Sequence, residues 1–191
     1  MSGIAARQAS PARLRLQEVA DRLFTAEGIV ATGVDRIIAE AKVTKATFYK
    51  QYGSKDALIL EYVVGRGARE RARLDELAAA ATGPTAVLDA LVEQVLAAAG
   101  RPGFRGDPLT NAAAEFTDPA HPVRLAVAEH RDWFTGFLED RFRELGHPRP
   151  GAAADEFVLL RDGAVTGAYA GDAVAAVSAF ERAARRLATS R

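Results

Sequence analysis

Apolar residues recur at helical spacing through most of the chain, and no strand-like alternation of apolar and polar residues lasts beyond a few positions. A stripe at i, i+3, i+4 and i+7 faces one core only when the backbone is helical. The pattern therefore commits the chain to packed helices and predicts an all-α fold. Alanine, the best helix former, supports it with 41 of 191 residues. A chain of this length buries roughly 70% of its unfolded surface on folding, so it needs no covalent or metal staple. It contains no cysteine, which excludes structural disulfides, thiolate catalysis and cysteine zinc sites and suits a reducing cytoplasm. The stretch Met1 to Gln17 holds three arginines and no unbroken apolar run, so it does not read as a secretory signal. No stretch approaches the roughly 18 apolar residues of a membrane span. The expectation is a cytoplasmic protein with no membrane partner.

Local signals divide the chain into nine helices. Ser10 and Pro11 make an N-cap and first helical position, and Gly28 a stop, which predicts a helix over Pro11 to Glu27. Thr32-Gly33 opens a short second helix whose apolar face is Val34, Ile37, Ile38 and Ala41. After a break at Lys42-Val43, Thr44 caps a third from Lys45 to Tyr52, ended by Gly53, and Ser54 caps a fourth reaching Ala81. Further helices are expected over Pro84 to Ala99, Leu109 to Phe116, Val123 to Leu145, Ala153 to Tyr169 and Asp172 to Thr189. Gly- and Pro-rich loops separate several of them.

The net charge of zero conceals an asymmetry. Residues 1–55 hold nine Lys+Arg against five Asp+Glu, a net of +4, while residues 56–191 hold sixteen against twenty, a net of −4. All four lysines, Lys42, Lys45, Lys50 and Lys55, fall within fourteen residues. A basic head on an acidic body suits a polyanion, although a solvated charged face reads the same way from charge alone. Geometry adds to it. Three short helices with a tight break between the second and third make a helix-turn-helix pattern. On the third helix Phe48 and Tyr52 share the inward face, Ala46, Thr47, Lys50 and Gln51 face away, and Lys45 and Tyr49 lie on the flank. Small, hydroxyl, amide and cationic side chains suit major-groove edges and phosphates. Lys55 stands at a helix N-terminus, where free N–H groups and an ammonium together suit a phosphate.

The run from Gly33 to Leu58, with its Thr47-Phe48-Tyr49 and Ser54-Lys55-Asp56-Ala57-Leu58 blocks, resembles the DNA-binding signature of the TetR (tetracycline repressor) family. The resemblance covers about residues 11–63. Asn111 to Phe116, Asp118-Pro119, His121-Pro122 and Leu159 to Gly163 are similar to the regulatory domain of one TetR subgroup. The family implies a helix-turn-helix DNA-binding domain over residues 1–55 and a ligand-binding and dimerisation domain over residues 56–191. It implies that Lys45, Ala46 and Tyr49 meet base edges and that Thr32, Thr44, Thr47, Lys50, Gln51 and Lys55 mostly meet phosphates. Two positions depart from its pattern. Lys42 stands where glycine is usual, so a positive φ there costs on the order of 1 kcal/mol. Gly33 stands where a serine or threonine often caps the second helix, which leaves that role to Thr32.

No nucleotide loop, nucleophile elbow or paired catalytic carboxylate is present, and the three histidines match no metal-ligand spacing. No cofactor, metal or catalytic residue is expected. The aromatic set Trp133, Phe134, Phe137 and Phe142 reads as core. The family also places a ligand cavity in this region, which Phe104, Asn111, Glu115, His130, Phe134 and Tyr169 are candidates to line. Leu160, Ala164, Val174, Val177, Phe180, Ala184 and Leu187 on the last two helices either face a second copy, as in the family, or bury the same face within the chain. The function expected is a homodimeric repressor released from a palindromic double-stranded operator by a small-molecule effector. An all-α enzyme and a sequence-independent nucleoid-type DNA binder are the alternatives.

Overall fold

The computed structural model describes residues 10–189, and among these it contains nine α-helices and no strand. The chain divides into two compact units, one ending at Val64 and one beginning at Gly65. The division falls inside α4 (Lys55–Ala80).

The first unit holds α1 (Pro11–Glu27), α2 (Val34–Glu40), α3 (Lys45–Tyr52) and the opening turns of α4. Its caps are those the local sequence demands. The Ser10 hydroxyl accepts from the Arg13 N–H at 3.2 Å, and the Thr44 hydroxyl accepts from the Thr47 N–H at 3.1 Å. Leu16, Ala20, Leu23 and Phe24 form the buried stripe of α1, joined by Ile37 of α2 and Phe48 of α3. Tyr62 meets Phe24 edge-on with ring centroids 5.3 Å apart, so the start of α4 completes this small core. The turn between α2 and α3 passes through Lys42 at φ 53°, the one described non-glycine residue in the left-handed region.

The second unit holds the rest of α4 with α5 (Pro84–Ala99), α6 (Pro108–Ala114), α7 (Pro122–Glu144), α8 (Pro150–Ala170) and α9 (Ala173–Thr189). Three of these begin earlier than the sequence reading places them. Pro108, Pro122 and Pro150 each occupy the first helical turn rather than the preceding loop, because a residue there has no intrahelical N–H bond to lose. The core is dominated by Leu88, Val92, Leu138, Phe142, Phe157 and Phe180, all nearly inaccessible. Phe157 sits edge-on to both Phe142, at 6.3 Å, and Phe180, at 5.7 Å. α8 and α9 pack as a close hairpin. A Cβ at Gly167 would lie only 2.9 Å from the Ala176 Cβ, so the approach depends on glycine. No helix among the described residues is long and apolar enough to cross a membrane.

Candidate functional site

α3 is an eight-residue helix with one face buried and the other open. Phe48 is fully buried and Tyr52 nearly so, while Lys45, Ala46, Tyr49 and Lys50 are exposed. The open face is rotated slightly from the sequence reading. Lys45 and Tyr49, expected on the flank, stand out in solvent, and Thr47 and Gln51 are half-buried. The reason is local. The Thr47 hydroxyl turns back to the Thr44 hydroxyl at 2.8 Å, and the Gln51 carbonyl is engaged from behind by Arg13. Tyr49 projects with 47% of its surface accessible while its ring rests edge-on against Phe48.

A charged clamp behind α3 sets its position. The Arg13 guanidinium donates to the Gln51 carbonyl at 2.8 Å, pairs with Glu61, and lies 4.5 Å above the Tyr52 ring. Gln17 donates to the same Glu61 carboxylate. Burial and the nearby Glu61 charge push the Tyr52 phenol up to about 12, so it stays protonated. Sequence reasoning missed Arg13 and Glu61 because their separation of 48 positions along the chain hides the pair.

Two residues expected at the DNA face have structural duties. Thr32 is fully buried and its hydroxyl donates to the Gly28 carbonyl at 2.7 Å. It caps the end of α1 rather than the start of α2, whose N-cap is Gly33 with no side-chain bond. This corrects the expected cap and removes the Thr32 side chain from the surface. Lys55 is half-buried, and its ammonium donates to the Ile29 carbonyl at 2.6 Å, tying α4 to the loop after α1. Lys45, at the first position of α3, pairs with Asp35 of α2 at 3.1 Å. Lys42 is exposed beside them.

The second unit encloses a cavity of about 20 Å³, room for roughly one water. His130 and Phe134, both expected there, line it. The other four expected residues do not. Phe104 packs against the hydrophobic core, Asn111 is exposed and donates to the Arg105 carbonyl at 2.7 Å, Glu115 is the C-cap of α6, and Tyr169 is 54% exposed on α8. The charged lining was not foreseen: Glu70 from α4, Asp107 at the N-cap of α6, Arg131 from α7 and Arg161 from α8. Asp107 accepts from the Leu109 and Thr110 N–H groups at 3.0 and 2.8 Å and from Arg161 at 2.9 Å. Burial alone would raise its pKa, but the Arg161 guanidinium and the Thr110 amide outweigh that and hold the carboxyl below its ordinary range. Glu70 is likewise held low, with burial opposed by the His130 hydrogen bond and by Arg161. The other two histidines act locally: the His121 ring accepts from the Val123 N–H at 3.3 Å, and the His147 ring from the Arg149 N–H at 3.2 Å.

On α8 and α9 the buried alternative prevails for most of the expected interface. Ala164, Phe180, Ala184 and Leu187 lie in the unit's own core and are not available to a second copy. Leu160 and Val177 are half-buried. Val174 is 75% exposed, and Leu159, absent from the expected set, is 73% exposed. Alanine-rich helices carry little contrast between faces, so periodicity alone did not separate inward from outward positions.

A short capped helix presented on a three-helix core, with cations around it, defines a helix-turn-helix DNA-binding protein. Residues 16–62 match the family model of the bacterial regulatory proteins of the tetR family. A TetR-family transcriptional regulator from Streptomyces coelicolor has a similar structure, with a TM-score of 0.87. It is 36% identical, over 94% of this chain and 95% of that one. The HTH-type transcriptional regulator LmrA of Bacillus subtilis is 26% identical over 137 residues, 70% of this chain and 72% of LmrA. The regulatory protein TetR from Rhodobacter sphaeroides shares the fold, with a TM-score of 0.81 at 22% identity over 93% of this chain and 99% of that one. The chain belongs to the TetR family and is a DNA-binding transcriptional regulator, not an enzyme.

Proposed function

We propose that the protein is a homodimeric repressor that reads a palindromic or near-palindromic operator and is released from it by a small-molecule effector held in the second unit. The observation that carries the DNA contacts is the open face of α3. Lys45, Ala46 and Tyr49 stand clear of the core at the end of a rigidly seated helix, which suits base edges in the major groove. Thr44, Thr47, Lys50 and Gln51 surround that face and suit the phosphates, which fix register without reading sequence. A division into a DNA-binding head and an effector body agrees with the two compact units.

A second copy fits the outer face of the α8–α9 hairpin, where Leu159, Tyr169 and Val174 are exposed among Gly163, Ala175 and Ala179. Large exposed apolar side chains beside small residues allow two hairpins to approach closely. Leu159→Glu or Val174→Glu should leave the helical fold intact and yield monomers in sedimentation. Dimers that persist in both variants would place the interface elsewhere. An effector acts only through its different affinity for the DNA-bound and free conformations. The present cavity is far below the roughly 300 Å³ of a typical ligand site, so the effector-bound form is a more open one.

The test is selection of operators from random duplexes, followed by footprinting. An inverted repeat with sharp boundaries is the expected product, and a featureless pool is the outcome expected of a nucleoid-type binder. Tyr49→Ala and Lys45→Ala should each lower the specific-to-scrambled affinity ratio, at roughly 1–3 kcal/mol for each base edge no longer read. Lys50→Ala should weaken both duplexes by similar factors and flatten the slope of log affinity against log salt by about 0.9 for each phosphate no longer neutralised.

A further inference from the structure

Two arginines of α1 hold the ends of the two helices that follow it. A helix leaves its last carbonyls without intrahelical partners, so the C-termini of α2 and α3 each need a donor from elsewhere. Arg15 donates through Nε to the carbonyl of Ala41, the C-cap of α2, at 3.1 Å. Arg13 donates to the carbonyl of Gln51, in the last turn of α3, at 2.8 Å. Between these two carbonyls the turn passes through Lys42 in its left-handed conformation. α1 thus grips the helix-turn-helix at the start of its turn and again at the far end of α3.

Of the two, Arg13 has the fixed orientation. Glu61 of α4 takes its Nε and one terminal nitrogen in a fork, which sets the plane of the guanidinium and leaves the other terminal nitrogen on the Gln51 carbonyl. Gln17, one turn further along α1, donates to the same carboxylate, and the Tyr52 ring lies 4.5 Å from the guanidinium. All three nitrogens of Arg13 are committed inside the first unit, and its charge is matched by Glu61. Arg13 is therefore spent on seating α3 and is not a cation offered to phosphate. The seat matters unequally for the two kinds of DNA contact. A hydrogen bond to a base edge weakens within a few tenths of an ångström and with misalignment. Attraction to phosphates acts over about 10 Å and tolerates such a shift.

We propose that Arg13 is a positioning residue for sequence discrimination: through the Gln51 carbonyl it sets where Lys45, Ala46 and Tyr49 stand against the base edges, and Glu61 is the group that orients it. This rests on the reading of α3 as the helix that meets the bases. Neither residue touches DNA in this account. Removing either lets α3 drift on its core, so base readout is lost while non-specific attraction persists.

The test uses the full-length protein with the selected operator and a scrambled duplex of the same length, each titrated across a salt series, with folding checked by circular dichroism. Arg13→Met should lower operator affinity about tenfold, within the range of one lost base-edge contact, and leave scrambled affinity within about twofold of the parent. Its salt slope should stay at the parent value, because a guanidinium committed to Glu61 neutralises no phosphate. A merely structural role does not move the ratio, since a partly unfolded variant loses both affinities by one factor. Glu61→Ala gives the sharper contrast. It makes the chain more positive, so charge alone predicts tighter binding to both duplexes, whereas loss of the anchor predicts a lower operator-to-scrambled ratio. Arg13→Lys should fall between the parent and Arg13→Met, because one ammonium cannot serve the carboxylate fork and the carbonyl together. Should Arg13→Met fail to fold, Arg13→Lys and Glu61→Ala decide the matter. A parental ratio in any of these variants that folds would overturn the proposal. Tyr49→Ala is the reference. If it lowers the ratio while Arg13→Met does not, the positioning role fails and the reading of α3 stands. If Tyr49→Ala also leaves the ratio unchanged, or no operator is selected, the reading of α3 fails and this proposal with it.

Discussion

At the scale of single residues, the DNA-reading unit holds two compromises. Lys42 adopts φ 53° in the turn before α3, a conformation that costs a side-chain-bearing residue about 1 kcal/mol or more. Lys42→Gly should therefore raise the stability of the fold by about 1 kcal/mol in denaturant unfolding. The same variant should bind scrambled duplex more weakly with a flatter salt slope, because it removes an exposed cation beside α3. Unchanged stability would mean that the turn relaxes around the lysine without strain. Asp35 is the second compromise. It holds the Lys45 ammonium at 3.1 Å although both side chains are well exposed. Such a pair contributes little to stability, but the Asp35 carboxylate repels phosphate and occupies a cation that the proposed function turns toward DNA. Asp35→Asn should tighten binding to scrambled duplex several-fold and steepen the salt slope, with folding stability within about 0.5 kcal/mol of the parent. In a Lys45→Ala background the gain should shrink, and an equal gain in both backgrounds would make the effect one of overall charge alone.

At the scale of elements, close approach between helices sets a limit that helix propensity does not reveal. Alanine is favoured over glycine in a helix interior by about 1 kcal/mol, so Gly167→Ala looks stabilising from the sequence of α8. Its new Cβ would stand 2.9 Å from that of Ala176, with no flexible side chain to yield. The α8–α9 hairpin must then spread, and overpacking of this kind costs typically 1–3 kcal/mol. The expected outcome is a net loss of stability in thermal unfolding. A gain would show that the hairpin accommodates the methyl group by a small shift of α9.

At the scale of the whole molecule, the Arg161 cluster links distant parts of the second unit and sets its response to acid. Asp107 and Glu70 both have folded pKa values below their unfolded ones, so the unfolded chain holds more protons through and below the ordinary carboxylate range, near about 4. Their contribution is complete at neutral pH and is lost as pH falls through that range to the depressed folded values. Arg161→Met removes the guanidinium that opposes burial at both carboxyls. It should cost roughly 3 kcal/mol at pH 7, the magnitude for breaking a buried pair, and move acid unfolding to higher pH by circular dichroism. An acid midpoint that stays in place would mean that other groups control the transition.

Much of the first unit was legible in the sequence because its signals are short-range. Ser10 and Thr44 bond to N–H groups three residues on, and Lys42 takes the strained turn that the break after α2 requires. The burial of Phe48 and Tyr52 on one face of α3 follows from one helical period, whereas Lys45 and Tyr49 stand further out than the flank position read from that period. The duties of Thr32 and Lys55 were not legible, because a hydroxyl and an ammonium that suit a phosphate equally suit a loop carbonyl, and only the path of the backbone decides between them. The same holds more strongly in the second unit. Glu70, Asp107 and Arg161 come from three helices and are 37 and 54 residues apart in succession, so no local pattern joins them. By itself the sequence determined the helices, the caps at Ser10 and Thr44, and the family. Tertiary packing decided which charges are buried together and which alanine-rich faces remain open, because those depend on which helices meet and not on the period within any one of them.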